Sequence, residues 1–351
     1  MAYTTIDKSS LHFNTKLYTG TGSSNAITGV GFQPDLLWIK SRSNTYSHSW
    51  TDAVRGKDNK IASNNSNAQY TDAGQLTSFD SDGFTLSTDA GVNNNGSTFV
   101  SWNWKANGQG SSNTDGSINT TYTSVNTTAG ISISSYSGTG SVGATVGHGL
   151  GAVPKMIMVK RLNSSGGDWM VYHESIGNDY RLRLNTIAVK QDNPVWNDTT
   201  PTSSVFSLND NGDANASGGT YVAYCFAEKQ GFSKFGSYSG LGTTTGQFVY
   251  TGFKPSFVMT KIATTGGSDD GGWVMVDNKR YPNNLSNSPI LFANLSNSES
   301  DSYNAEFFSN GFRFNANSVT VNGSGNTYSY MAFAETPFVA NSGQSIPTTA
   351  R

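Results

Sequence analysis

Three short apolar runs, each introduced by a proline and closed by a lysine, dominate the hydropathy pattern of the chain. They are Leu36-Leu37-Trp38-Ile39-Lys40 after Pro34, Met156-Ile157-Met158-Val159-Lys160 after Pro154, and Phe257-Val258-Met259-Thr260-Lys261 after Pro255. Unbroken apolar runs of this length predict strands buried on both faces, and a proline is tolerated at a strand's first residue. Further along, large and small residues alternate in Trp102-Asn103-Trp104, Tyr224-Cys225-Phe226 and Met331-Ala332-Phe333. That period of two predicts strands with one face against a core. Between the two kinds of segment lie Asp82-Gly83, Asn211-Gly212 and Asn310-Gly311, which predict hairpin or bulge turns because Gly and Asn tolerate positive φ.

Other landmarks recur in the same order. A Tyr-[Thr/Ser]-Gly-x-Gly opening stands at Tyr18, Tyr136 and Tyr238, and a tryptophan trailed by an acid follows each apolar run (Trp50 and Asp52, Trp169 and Glu174, Trp273 and Asp277). Each set closes on Gly-x-Thr-[Phe/Tyr], at Gly96, Gly218 and Gly325. Such internal repetition predicts an all-β chain of three tandem antiparallel β-sandwich units, jelly-roll-like, each of about a hundred residues. The expected division is an N-terminal arm at 1–12, units at 13–107, 131–231 and 232–338, a Gly/Ser/Asn-rich linker at 108–130 and a tail at 339–351.

Composition narrows the function classes. Charged residues make up 13% and the formal net charge is -2, so nothing here supplies the basic field that nucleic acid or an anionic membrane requires. Aromatics reach 12%, which excludes the disordered class. The one cysteine, Cys225, sits in an apolar run and reads as a small core hydrophobe. Met1 to Lys8 has no apolar h-region and no stretch approaches 18 consecutive apolar residues, so neither a signal peptide nor membrane insertion is expected.

Candidate chemistry is sparse. His12, His48, His148 and His173 are scattered, without ligand spacing or a nucleophile partner, and none is expected at an equivalent repeat position. The Trp-plus-acid pair recurs with a drifting offset, which argues against catalysis and for a core Trp beside a solvated acid. Asp80-Ser81-Asp82-Gly83 and Asn209-Asp210-Asn211-Gly212-Asp213 carry oxygen ligands at calcium-loop spacings but lack the closing Glu, so the turn reading is favoured. Arg55-Gly56 reads as a loop peculiar to the first unit. No catalytic residue, metal site or cofactor is expected.

With these landmarks in place, the first unit resembles a domain of unknown function widespread in structural proteins of marine tailed phages, cyanophages among them. The resemblance rests on Leu17 to Gly22, Gly29-Val30-Gly31-Phe32-Gln33-Pro34-Asp35, Trp38-Ile39-Lys40, Asp52 to Gly56, and Phe79 to Phe84 through Trp102-Asn103-Trp104-Lys105. It implies a virion component without saying which one; the leading expectation is a non-enzymatic tail fibre or tail-associated protein engaged in host attachment and assembled in the host cytoplasm. A capsid-decorating or head-fibre protein is the alternative, and a polysaccharide-cleaving tailspike the second. Expected partners are other virion proteins, a host-surface glycan or protein, and further copies of the chain, a trimer among the options. Tyr3, Ile6, Leu11 and Phe13 are the candidate particle-docking anchors. Loops carry the differences between units, so ligand contact is expected in the third, at Asp269, Asp270 and Tyr281.

Overall fold

The computed structural model describes residues 4–264, 271–282, 284 and 287–337. The chain is all-β, as expected, and every strand pairing within its sheets is antiparallel. One four-strand order occurs three times. An opening strand pairs with a closing strand, which pairs with the Pro-to-Lys strand, which pairs with a short fourth strand. The first set is Phe13–Thr19, Thr98–Trp104, Leu36–Ser41 and Ser49–Asp52. The second is Ile131–Ser137, Thr220–Phe226, Met156–Arg161 and Met170–His173. The third is Ser233–Ser239, Thr327–Pro337, Phe253–Ile262 and Val274–Asp277.

Each main sheet is buried on two faces, because its residues alternate between two cores. In the first unit Leu37, Ile39 and Phe99 face a private core closed by Ile27, Phe84 and Leu86 from a three-stranded sheet. Gly83 holds that small sheet together: its φ is +151°, and a Cβ there would meet the carbonyl oxygen of Ile27 at 1.9 Å. Leu36, Trp38, Val100, Trp102 and Trp104 point the other way, into a core shared with Met156, Met158, Tyr224 and Phe226 of the second unit and Phe257, Met259, Met331 and Phe333 of the third. Three sheets therefore surround one common core, and the last aromatic of each closing strand meets its counterparts there. Ring centroids lie 6.3 Å apart for Trp104 and Phe226, 6.1 Å for Phe226 and Phe333, and 5.7 Å for Trp104 and Phe333.

This arrangement corrects four expectations. The three units are not separate sandwiches, because they share one core. The closing strands have two buried faces rather than one, which their alternation of large and small residues could not reveal. The 108–130 segment is not a free linker: Tyr122–Asn126 adds a strand to the second sheet, Ile118 is buried, and the amides of Ala106 and Gly108 donate to the Asp35 carboxylate at 2.7 and 3.1 Å. Asn211 caps a short helix at Gly212–Asn215, its side chain accepting from the Asp213 amide, where a hairpin turn was expected.

The seams between units form a closed ring of equivalent contacts. Asp52, His173 and Asp277 occupy one register position, opposite Leu36, Met156 and Phe257. From it the first unit reaches the second, Tyr224 donating its hydroxyl to Asp52 at 2.6 Å. The second reaches the third, His173 Nε2 lying 3.0 Å from the Tyr330 carbonyl. The third reaches back to the first, Trp102 Nε1 donating to Asp277 at 3.1 Å. Four residues earlier a second ring runs the other way round. Trp169 Nε1 donates to the Ala62 carbonyl and Trp273 Nε1 to that of Arg183, each at 2.9 Å, while His48 Nε2 donates to those of Phe292 and Leu295 at 2.9 and 3.2 Å. His48 is thus the counterpart of Trp169 and Trp273, and Trp50 stands two residues past that position. This misalignment accounts for the short offset in the first unit: the register position held by Asp52, His173 and Asp277 lies four residues after His48, Trp169 and Trp273, and Glu174 stands one residue beyond it.

The two seam histidines, His48 and His173, are held neutral. Trp38 Nε1 donates to His48 Nδ1 at 2.8 Å, and the Ser175 amide donates to His173 Nδ1 at 3.2 Å, which places the proton on Nε2 in each. Burial depresses their pKa values to about 3 for His48 and about 4 for His173. An unfolded histidine titrates near 6.5, so between these values the unfolded chain binds more protons than the folded one. Stability is therefore present above about pH 6.5 and is lost as pH falls, by up to about 1.4 kcal/mol per pH unit per histidine. Urea midpoints measured from pH 7.5 to 4.5 should fall accordingly, with a shallower slope in His173→Gln; equal slopes in the two proteins would count against this origin.

Candidate ligand groove

Most chemistry-bearing side chains are committed to the frame. Asp52 and Asp277 are fully buried, each paired with an arginine three residues on: Arg55 Nε and Arg280 Nε both donate at 2.6 Å. The remaining guanidinium nitrogens of the two arginines find equivalent acceptors, the Trp50 and Met275 carbonyls among them. Neither acid is solvated, and Arg55 is not a loop residue of the first unit alone. Burial pushes the Cys225 thiol up to about 12, consistent with an inert core residue. Asp80 accepts from Ser78 and Thr85, and Asp82 from the amides of Gly29 and Gly31, so the calcium-like turn of the first unit is internally bonded. Among the described residues, no three His, Cys, Asp or Glu side chains converge on a metal position.

The exception lies in the third unit, just past Asp277. The carboxylate of Asp277 accepts from the amides of Lys279 and Arg280 at 3.1 and 2.9 Å, making a tight turn that sends Arg280 inward and leaves Lys279 exposed. Beside this turn opens a cavity of about 410 Å³ with Lys254, Asn278, Tyr281, Asn284, Ser309 and Glu335 in its walls. Two register shifts in the Pro-to-Lys strand, around Pro255, set Lys254 beside Glu335, and the two pair at 2.8 Å. Asn284, in a left-handed conformation (φ 48°), brackets Phe307, donating to its carbonyl at 2.9 Å and accepting from its amide at 3.0 Å. Asn278 is 9% exposed, and its Oδ1 is buried with no hydrogen-bond partner among the described residues.

Further hollows lie toward the first unit. A small hollow bordered by Asn14, Thr15, Asn278 and Lys279 shares lining residues with the cavity and with a depression of about 290 Å³ along the first opening strand, where Lys16 and Leu17 lie. Lys279 lines all three parts. The corresponding turns offer no such feature: the residues after Asp52 are Ala53 and buried Val54, and those after His173 are Glu174, paired with Lys155, and Ser175.

Of the expected contact residues, Tyr281 lines the groove, yet at 5% exposure it offers no open aromatic face. Asp269 and Asp270 lie outside the described residues, as does Tyr3. Of the expected docking anchors, Leu11 is exposed, whereas Ile6 and Phe13 are inserted in the shared core, Phe13 stacking on Phe333 at 4.9 Å. They therefore serve the fold and are not free to hold a particle. Asn278 and Lys16 were not singled out from the sequence, although the shared Asp-x-x-Arg spacing at Asp52 and Asp277 was there to mark the turn.

The sequence profile of DUF7483, a domain of unknown function, matches residues 8–337. The chain belongs to this family. The DUF7483 match runs across all three sheets, so the ring of seams and the groove between the third and first units lie within it. No curated protein matches the chain. No solved structure matches it either.

Proposed function

We propose that this chain is a non-enzymatic structural protein of a tailed-phage particle, a tail fibre or tail-associated component that contacts the host surface. The observation that supports this reading is the closed ring: three sheets bury their inner faces on one core and are cross-linked at every seam, giving a frame without a hinge. The threefold packing that fibres commonly assemble from three chains is here reached within one. A rigid frame of low charge is suited to repeated display on a particle, and the groove is the place where such a frame departs from its own repetition. The nearest competing reading, decoration of the capsid, uses the same frame and needs no ligand.

Mass spectrometry of purified particles tests the proposal, with the chain expected at more than trace stoichiometry. Its absence would overturn the virion reading. Antibody labelling should fall on the tail, and labelling confined to the head would replace attachment by capsid decoration.

A further inference from the structure

We propose that the groove between the third and first units binds an acidic saccharide, a glycan segment carrying hexuronate-type carboxylates beside free hydroxyls. This names the ligand class for the attachment reading above and rests on that reading for its biological setting. Three observations carry it. Asn278 lines the cavity, and its Oδ1 is buried without a donor among the described residues; leaving such an atom unmatched is unfavourable, and a turn of the side chain toward the cavity would let a ligand supply the donor. A sugar hydroxyl is a donor of the right size. Lys279 and Lys16 have no carboxylate within ion-pair distance among the described residues, whereas Glu335, the carboxylate in the wall, is already paired with Lys254. The groove therefore keeps a surplus of positive charge in a chain whose net charge is -2.

The third observation is shape. The main cavity, about 410 Å³, falls in the range of roughly 300–1,000 Å³ typical of small-molecule sites. The neighbouring hollows, which share Lys279 and reach Lys16, would let charges on successive rings meet successive lysines. A phosphate ester suits the site less well, since no arginine fork lines the groove. A neutral glycan satisfies Asn278 and leaves both lysines unmatched.

Titration of the full chain with trigalacturonate, and with its methyl ester as the uncharged counterpart, tests the inference. Saturable binding of the acid is expected, at least about tenfold weaker for the ester. Lys279→Glu should weaken binding of the acid at least about tenfold, and Asn278→Ala should weaken both ligands. Lys279 is exposed, so its replacement should leave the melting temperature nearly unchanged. Equal binding of acid and ester, unaltered binding by Lys279→Glu, or no saturable binding of trigalacturonate would each overturn the proposal. These outcomes are independent of where the chain resides. A chain found on particles that ignores trigalacturonate refutes the ligand class alone, and a binder of trigalacturonate absent from particles refutes the virion reading alone.

Discussion

Asp277→Ala is expected to lower the stability of the whole chain by about 3–5 kcal/mol, the usual consequence of removing one partner from a buried ion pair. Both members are fully buried, at 0% side-chain exposure, so the guanidinium of Arg280 would lose its closest counter-charge without gaining water. Glu299, at 3.3 Å from Arg280, offsets part of this loss. Three further donors lose their acceptor at once: Trp102 Nε1 across the seam and the amides of Lys279 and Arg280. Replacing both partners, as in Asp277→Leu with Arg280→Met, should be milder than the single change, because no unpaired charge is left behind. The chain contains a precedent, since the second unit holds the same seam with His173 and Ile176. Guanidinium unfolding of the three proteins measures these differences. A loss below about 1 kcal/mol for Asp277→Ala would show that the pair does not hold the third seam.

A single unit cut out at its sequence boundaries should fail to fold as a monomer. A fragment of residues 131–231 would present Ile131, Ile133, Met156, Met158, Trp169, Val171, Val222, Tyr224 and Phe226 to water, all of which the intact chain buries in the shared core. Burying one such side chain contributes about 1.5–3 kcal/mol, so roughly 14–27 kcal/mol of stabilisation is forfeited. Whole domains are stable by only about 5–15 kcal/mol. The private core built on Val146, Phe206, Leu208, Ile157 and Val159 remains but cannot balance that deficit. Sedimentation together with near-ultraviolet circular dichroism should show a fragment that is either expanded or self-associated. A monomeric fragment with a cooperative thermal transition would disprove the dependence of the units on one another.

The elements of this fold were written plainly in the sequence, and their assembly was not. A run such as Met156 to Val159 declares a strand covered on both sides, and the structure covers it with a private core on one side and the shared core on the other. Periodicity states that a face is buried without stating by which neighbour, and so three separate sandwiches and three fused ones read alike. Tryptophan, the largest landmark, misled: Trp50 was paired with Trp169 and Trp273, whereas the seam position in the first unit belongs to His48, which performs the same donor role with an imidazole. The groove was half legible. Tyr281, expected as a contact residue, does lie in the right turn, but its ring is not what the groove offers. The Asp277 carboxylate, by gathering two amides, turns that ring inward and Lys279 outward.

The seam between the third and first units has a consequence for how the chain is made. His48 waits for the carbonyls of Phe292 and Leu295, and Arg42 for the carboxylate of Glu299, to which it donates at 2.9 and 2.8 Å. At about 5–20 residues per second, the ribosome needs roughly 10–40 s to travel from the end of the first closing strand to Glu299. Over that interval the nascent first unit carries a wall of Trp38, Trp50 and Trp102 that the second unit covers only at Trp50 and the third at Trp102. Its earliest hazard is therefore association with another nascent chain on the same message, and slowing synthesis downstream of residue 104 should increase the insoluble fraction.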